Sequence, residues 1–336
     1  MIRHLLAWVL LTACVSTFAA TPAAPATPAK PVLAGLAAKG PRPPKEAPSF
    51  PDVAYGTDPK QKFDIYCPPG NGPFPVLIYI HGGGWFANDK MPDTMEPEGF
   101  LKQGVAVVSI NYRLIGDAVA EGILPPITAV LGDTRRALQY LRLHAADWHL
   151  DPDKIVVMGG SAGAASALYL DCEGEQALPN SSDPVERVST KILGSVPAAA
   201  QTSIDPQHIH EWNPGCAWGF WACEPPADHN WGNIAYFNKY LADRDQWLPV
   251  IKKYSPEWLI TKDAPPIYFT FGQTPPAPGT TPTSGELIHS PLWAIGFMKV
   301  AQDLGVRCYL QYPGHPVPEY PGGSSEFILR LLGVRK

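Results

Sequence analysis

The stretch DKIVVMGGSAGAASALYL, residues 153–170, decides the fold. Ile155, Val156, Val157 and Met158 make a short apolar run, the pattern of a strand buried on both faces. Gly159, Gly160, Ser161, Ala162 and Gly163 follow without a spacer, and small residues with Leu168 continue in a helix-compatible run. Strand, Gly-x-Ser-x-Gly turn, helix is the setting that holds a serine side chain clear of the backbone at the end of a strand. Gly159 and Gly163 lack a Cβ, so strand and helix can approach closely. The amides that open the helix face any negative charge that develops beside Ser161. Taken alone, the same letters also describe a tight turn without chemistry.

A second stretch bears on that choice. Val76 to Ile80 reads as another apolar strand, and it runs into His81, Gly82, Gly83, Gly84 and Trp85. Successive glycines expose backbone N–H groups and admit a carbonyl oxygen, which is what stabilisation of an oxyanion requires. A phosphate loop is disfavoured because no Lys-Ser/Thr follows the glycines.

Together the two stretches, glycine run first, resemble the α/β-hydrolase family. The resemblance is to its esterases related to hormone-sensitive lipase and to feruloyl and acetyl-xylan esterases. Asn111-Tyr112-Arg113-Leu114 after a strand, and Tyr254-Ser255-Pro256 ahead of Pro265-Pro266, fit the same family. The likeness runs from about residue 54 to the C-terminus. It implies a serine esterase in which Ser161 attacks an ester carbonyl and the N–H groups of Gly83, Gly84 and Ala162 hold the oxyanion. It implies no cofactor.

A serine hydroxyl needs a base, and the resemblance implies the order serine, acid, histidine. The residues 307–312 read as the last strand, and Tyr312-Pro313-Gly314-His315 follows, so His315 is the expected base, with His289 as the alternative. The acid departs from the family pattern. The penultimate strand ends in Gly272-Gln273-Thr274-Pro275-Pro276, without a carboxylate, and Glu286 is the only acidic residue before Ser290. Glu286 is therefore the expected acid. Asp205, after an earlier strand, and an enzyme with no acid at all stay open.

Outward from these stretches, apolar strands alternate with helices. Ile127, Val130, Leu131, Leu138, Leu141 and Ala145 fall on one helical face over residues 126–147. Asp133 and Arg136, three apart on that helix, read as a surface ion pair. A helix is also expected from Pro291 to about Leu304. The pattern predicts a mostly parallel, doubly wound α/β-hydrolase sheet, with the site at the carboxyl ends of its strands. Residues 201–246 interrupt the alternation with Trp212, Trp218, Phe220, Trp221 and Trp231. They read either as a cap whose tryptophan faces stack on sugar rings or as a hydrophobic cluster under a long loop. Cys216 and Cys223 are candidates for a disulfide. No Cys-x-x-Cys or His-Glu-x-x-His spacing points to zinc.

The chain has 336 residues and a net charge of −5, with no basic stripe, which argues against a nucleic-acid partner. Residues 1–20 read as an export signal: Arg3 and His4 precede an apolar run from Leu5 to Leu11 that is too short to span a bilayer. Ordinary cleavage near Thr17 and Ala19, or a lipobox ending at Cys14, are both open. The second would give a lipid anchor as the only membrane contact, and either places the protein outside the cytoplasm. Residues 21–50, rich in Ala, Pro and Lys, read as a disordered tether, and residues 51–336 as the catalytic domain. The expected substrate is a small-molecule or polysaccharide ester. A serine peptidase of the same fold, and a glycan-binding homologue without activity, are the competing readings.

Overall fold

A computed structural model describes residues 47–90, 96–226, 228, 230 and 232–335. The expected export signal, Cys14, most of the tether and Trp231 lie outside the described residues.

Eight strands form one sheet: β1 (Phe50–Ala54), β2 (Lys62–Tyr66), β3 (Phe74–Ile80), β4 (Ala106–Ile110), β5 (Leu150–Gly160), β6 (Ser195–Ala198), β7 (Ile267–Thr270) and β8 (Cys308–Gln311). Their order is β1-β2-β4-β3-β5-β6-β7-β8. From β4 through β8 every pairing is parallel, while β1 and β2 form an antiparallel edge. This is the α/β-hydrolase sheet. The central strands carry continuous apolar runs because helices cover both faces. In β4 all five residues are buried, and Ile155, Val156 and Val157 of β5 sit at the middle of the core.

The long amphipathic helix spans Ile127–Leu143, and a short 3-10 turn, Ala145–Trp148, completes the stretch. Its Asp133 is not half of a surface pair with Arg136. Asp133 is buried and takes Arg113 in a forked contact, Nε to Oδ2 at 2.9 Å and Nη2 to Oδ1 at 2.7 Å, with Gln61 Nε2 also on Oδ1 at 2.7 Å. Arg136 turns to Asp183 instead, at 2.6 Å. Planar guanidinium and carboxylate match edge to edge, so the fork is the geometry that justifies burying the acid.

The residues around Ser161 are small because three backbones meet there. A Cβ on Gly163 would overlap the carbonyl oxygens of Ile80 and His81, and one on Gly159 would overlap the Gly163 carbonyl. Gly163→Ala is expected to cost about 1–3 kcal/mol by overpacking against rigid backbone. It should also depress activity, since β3 and the helix Ala162–Glu173 must separate. Urea unfolding and ester turnover check this, and an unchanged midpoint would overturn it.

The insertion contains helices Pro206–Trp212 and Ile234–Ala242 and a 3-10 turn Phe220–Ala222. Trp218, Phe220 and Trp221 are buried, and Trp218 packs on Trp85 and Trp293 with ring centres 4.9 and 6.0 Å apart. Their faces are covered by protein and are not open platforms for a sugar, so these residues follow the hydrophobic-cluster reading. Cys216 and Cys223 are buried free thiols and no disulfide joins them; Cys223 Sγ lies 3.2 Å from Tyr240 Oη. Burial raises both thiols to about 12, which keeps them protonated and unreactive.

Candidate active site

Ser161 stands between β5 and the helix Ala162–Glu173 with φ +52° and ψ −121°. A serine adopts that conformation only when its surroundings impose it. Here the Ser161 N–H is held by the Ala198 carbonyl at 2.8 Å, and the Ser161 carbonyl accepts from Ala165 N at 3.1 Å. Gly82 lies alongside: a Cβ there would come within 3.1 Å of Ser161 Cβ and 2.5 Å of the Gly160 oxygen. The strand that ends in glycines is thus the direct neighbour of the serine.

Beyond Gly82 the chain reverses. Gly83 has φ +106° and Gly84 φ +65°, values that glycine adopts without penalty. Among the described residues, the N–H groups of Gly83 and Gly84 donate no backbone hydrogen bond. The turn is fixed by the aromatic residues around it. Trp221 Nε1 donates to the Gly84 carbonyl at 3.1 Å, and Trp85 Nε1 to Ser166 Oγ at 3.0 Å. Tyr112 stacks on His81 at 4.4 Å and donates to its carbonyl at 2.7 Å. Burial pushes His81 down to about 4, so it is a neutral structural ring.

The histidine opposite the serine is His289. Its Nε2 lies 3.0 Å from Ser161 Oγ. This corrects the expectation of His315. That residue is exposed in the turn after β8, where its Nδ1 bonds the Leu310 carbonyl at 3.0 Å and its ring stacks on Tyr312 at 4.6 Å. His289 follows the helix Ser284–Ile288, and its own N–H is bonded to the Gly285 carbonyl at 3.2 Å. Burial lowers the ring below its ordinary value of 6.5, and the Gly285 carbonyl opposes that as a hydrogen-bond acceptor. With the proton on Nδ1, Nε2 is free to accept the serine proton.

Neither expected carboxylate reaches this ring. Glu286 is exposed and caps its own helix: its Oε2 accepts from Thr283 N and Thr283 Oγ1, both at 2.7 Å. Those two contacts, the backbone one first, hold its carboxyl below the usual range. Asp205 is buried at the start of the helix Pro206–Trp212 and is forked by Arg244, Nε at 2.7 Å and Nη2 at 2.6 Å, with Trp258 Nε1 at 3.1 Å. Among the described residues no carboxylate hydrogen-bonds His289.

Asp205, His208 and Glu257 each bring one possible metal-ligand atom within 4.8 Å of the others. Their electrons are already committed: Arg244 neutralises Asp205, while Ser203 and Ser255 donate to Glu257 at 2.5 and 2.6 Å. His208 Nδ1 sits 3.1 Å from Glu257 and its ring stacks on Trp212 at 4.9 Å. A cation here would have to displace Arg244, so the cluster reads as a buried ion-pair network.

A base that must be neutral, and whose pKa burial lowers, works at lower pH than an ordinary histidine. The acid limb of a kcat/KM profile is therefore expected to have its midpoint below 6.5. Activity would fall as pH drops through that midpoint. A midpoint above 6.5 would reveal a carboxylate partner in solution, because such a partner stabilises the imidazolium.

Comparison with known proteins places this geometry. A "Probable isoprenylcysteine alpha-carbonyl methylesterase" of Arabidopsis thaliana is 28% identical over 33% of this chain and 22% of its own length. A chlorogenic acid esterase of Aspergillus niger is 37% identical over 28% of this chain and 19% of its own. The chain thus aligns with about a fifth of the length of these curated relatives. Among solved structures, a truncated carbohydrate esterase from gut microbiota superposes with a TM-score of 0.61 at 19% identity, covering 88% of this chain and all of the other, a likeness of fold. The BD-FAE family profile matches residues 63–277, from β2 across the glycine turn, Ser161 and the insertion to beyond β7, and the chain belongs to this family of α/β-hydrolases.

Proposed function

We propose that the protein is a serine carboxylesterase that hydrolyses short acyl or aryl esters, with carbohydrate esters as the favoured class. One observation carries the reading: a strained Ser161 with its hydroxyl 3.0 Å from His289 Nε2, beside a glycine turn at the carboxyl ends of β3 and β5. Ser161 Oγ bonds to the ester carbonyl carbon while His289 Nε2 takes its proton. The N–H groups of Gly83, Gly84 and Ala162 receive the oxyanion, each such donor contributing about 3 kcal/mol. Collapse returns the proton to the alcohol oxygen, which leaves, and Ser161 holds the acyl group. Water then adds as His289 takes its proton, and the second collapse restores the serine and frees the acid. No carboxylate hydrogen-bonds this imidazole among the described residues, and the nearby Gly285 carbonyl is the group that favours its protonated form.

The bulk of Phe86 and Trp221, 5.2 Å apart beside Gly84, supports a short acyl group. Carbohydrate as the alcohol is supported by the gut carbohydrate esterase that shares the fold. Export, expected from residues 1–20, would bring the enzyme to such polymers.

The test is labelling of the purified protein by a fluorophosphonate, together with release of acetate from acetylated xylan. Labelling that disappears in Ser161→Ala, with acetate release exceeding hydrolysis of long-chain esters, is the expected result. A folded wild type that is not labelled overturns the enzyme reading in favour of a glycan-binding homologue. Preference for long-chain esters overturns the substrate class alone.

A further inference from the structure

We propose that Gln201, Asn213 and Trp293 are the positioning residues of the base: they clamp the two carbonyls that precede His289 and so supply the orientation that an acid would otherwise give. The proposal rests on the reading of His289 as the base. Three elements converge on this short segment. Gln201 Nε2, from the loop after β6, donates to the Ile288 carbonyl at 2.7 Å. Asn213 Nδ2, from the insertion, donates to the Leu287 carbonyl at 2.6 Å, and Trp293 Nε1 reaches the same oxygen at 3.1 Å. All three side chains are buried, Gln201 at 1% exposure and the other two at 0%.

The clamp also fixes the distance between serine and base. Gln201 Nε2 bridges from Ile288 to the Ala199 carbonyl at 3.1 Å, and the adjacent Ala198 carbonyl holds the Ser161 N–H at 2.8 Å. One stretch, residues 198–201, therefore grips the nucleophile at one end and the base at the other, and Ala199 takes the strained φ of +51° within it. Trp293 is itself anchored, its carbonyl by Thr202 Oγ1 at 2.8 Å and its ring by Trp218.

The amides show what these residues are for. Gln201 Oε1 and Asn213 Oδ1 are buried without a hydrogen-bond partner. Turning either amide over would set oxygen against carbonyl oxygen, so the donors must face the loop. A buried acceptor left unpaired is costly, so the orientation of both amides is set by the loop carbonyls that take their N–H groups. Donors aimed in this way at residues 287–288 fit a site in which a displacement of about 1 Å costs on the order of 100-fold in rate.

The experiment compares Gln201→Met, which keeps bulk, and Trp293→Phe, which keeps an aromatic ring, each without its donor, in the wild-type and His289→Ala backgrounds. Turnover of an activated acetyl ester and the rate of fluorophosphonate labelling are the readouts. In the wild-type background kcat is expected to fall between about tenfold and 100-fold with KM within about twofold. In the His289→Ala background neither substitution should cost anything more, because residues that act through one group lose their effect when it is gone. Wild-type kcat in both variants, or a full additional loss without His289, overturns the clamp. If Gln201→Met does not fold, Trp293→Phe alone decides by the same comparison. His289→Ala with wild-type activity overturns instead the base on which the clamp acts.

Discussion

Replacing His289 by alanine is expected to lower kcat on an activated acetyl ester by about 10²- to 10⁴-fold, the range for losing a positioned proton-transfer group. His315→Ala is expected to stay within about twofold, the size of ordinary surface effects. The argument is geometric. Proton transfer needs a nitrogen at hydrogen-bond distance from the hydroxyl, and His289 Nε2 is at 3.0 Å. His315 is committed to its own turn, through Nδ1 to Leu310 O and through its N–H to Tyr312 O at 2.8 Å. Reaching Ser161 would mean breaking both contacts and the stack on Tyr312. Glu286→Gln joins the comparison. Its carboxylate serves Thr283, so the change should loosen the helix Ser284–Ile288 without removing a group that touches the imidazole. Steady-state kinetics on the three variants check all of this. A loss in His315→Ala matching that in His289→Ala would mean that the two loops exchange roles in solution.

These assignments mark where the sequence is and is not legible. The sheet and the serine are spelled by neighbours in the chain: an apolar run, then glycines, then small residues, each constraining the next within a few positions. The partner of Ser161 depends on which of two loops reaches it at the carboxyl ends of the strands, and Pro313-Gly314-His315 carried a family pattern that His289 lacks. A local signal was nonetheless present. Thr283 followed by Glu286 is the spacing of a capping box, and it commits the only acid of that loop to a helix terminus. Asp205 before Pro206 is likewise an N-cap followed by proline at the first helical turn. Reading both acids as caps would have left the histidine without a carboxylate, which is the arrangement observed. Asp133 misled for a different reason. Three-residue spacing on a helix shows which side chains could meet, but Arg113, from the loop after β4, took the acid first.

The second large effect lies away from the site. The stability of the wild type relative to Asp171→Asn is expected to fall as pH rises from about 4. Asp171 is on the helix Ala162–Glu173 at 1% exposure, and neither carboxyl oxygen has a hydrogen-bond partner. Burial raises its pKa well above 3.8; the Ser195 hydroxyl acts in the opposite sense but is not within hydrogen-bonding geometry. The folded protein therefore keeps this proton at pH values where the unfolded chain has released it. The stabilisation is complete below the unfolded value of 3.8 and is lost progressively as pH climbs toward the folded value. Within that window one proton is worth about 1.4 kcal/mol per pH unit. Asparagine has the same shape and no proton to lose, so the variant should match or exceed the wild type at neutral pH and trail it near pH 4. Urea unfolding of both proteins at several pH values measures the difference directly, because every other titrating group is shared and cancels. Parallel curves would mean that water reaches Asp171 and that the carboxyl ionises in the folded state. A diverging pair would show that a neutral acid is kept in the core behind the nucleophile's helix, where an ion would open the packing that holds Ser161 against β3.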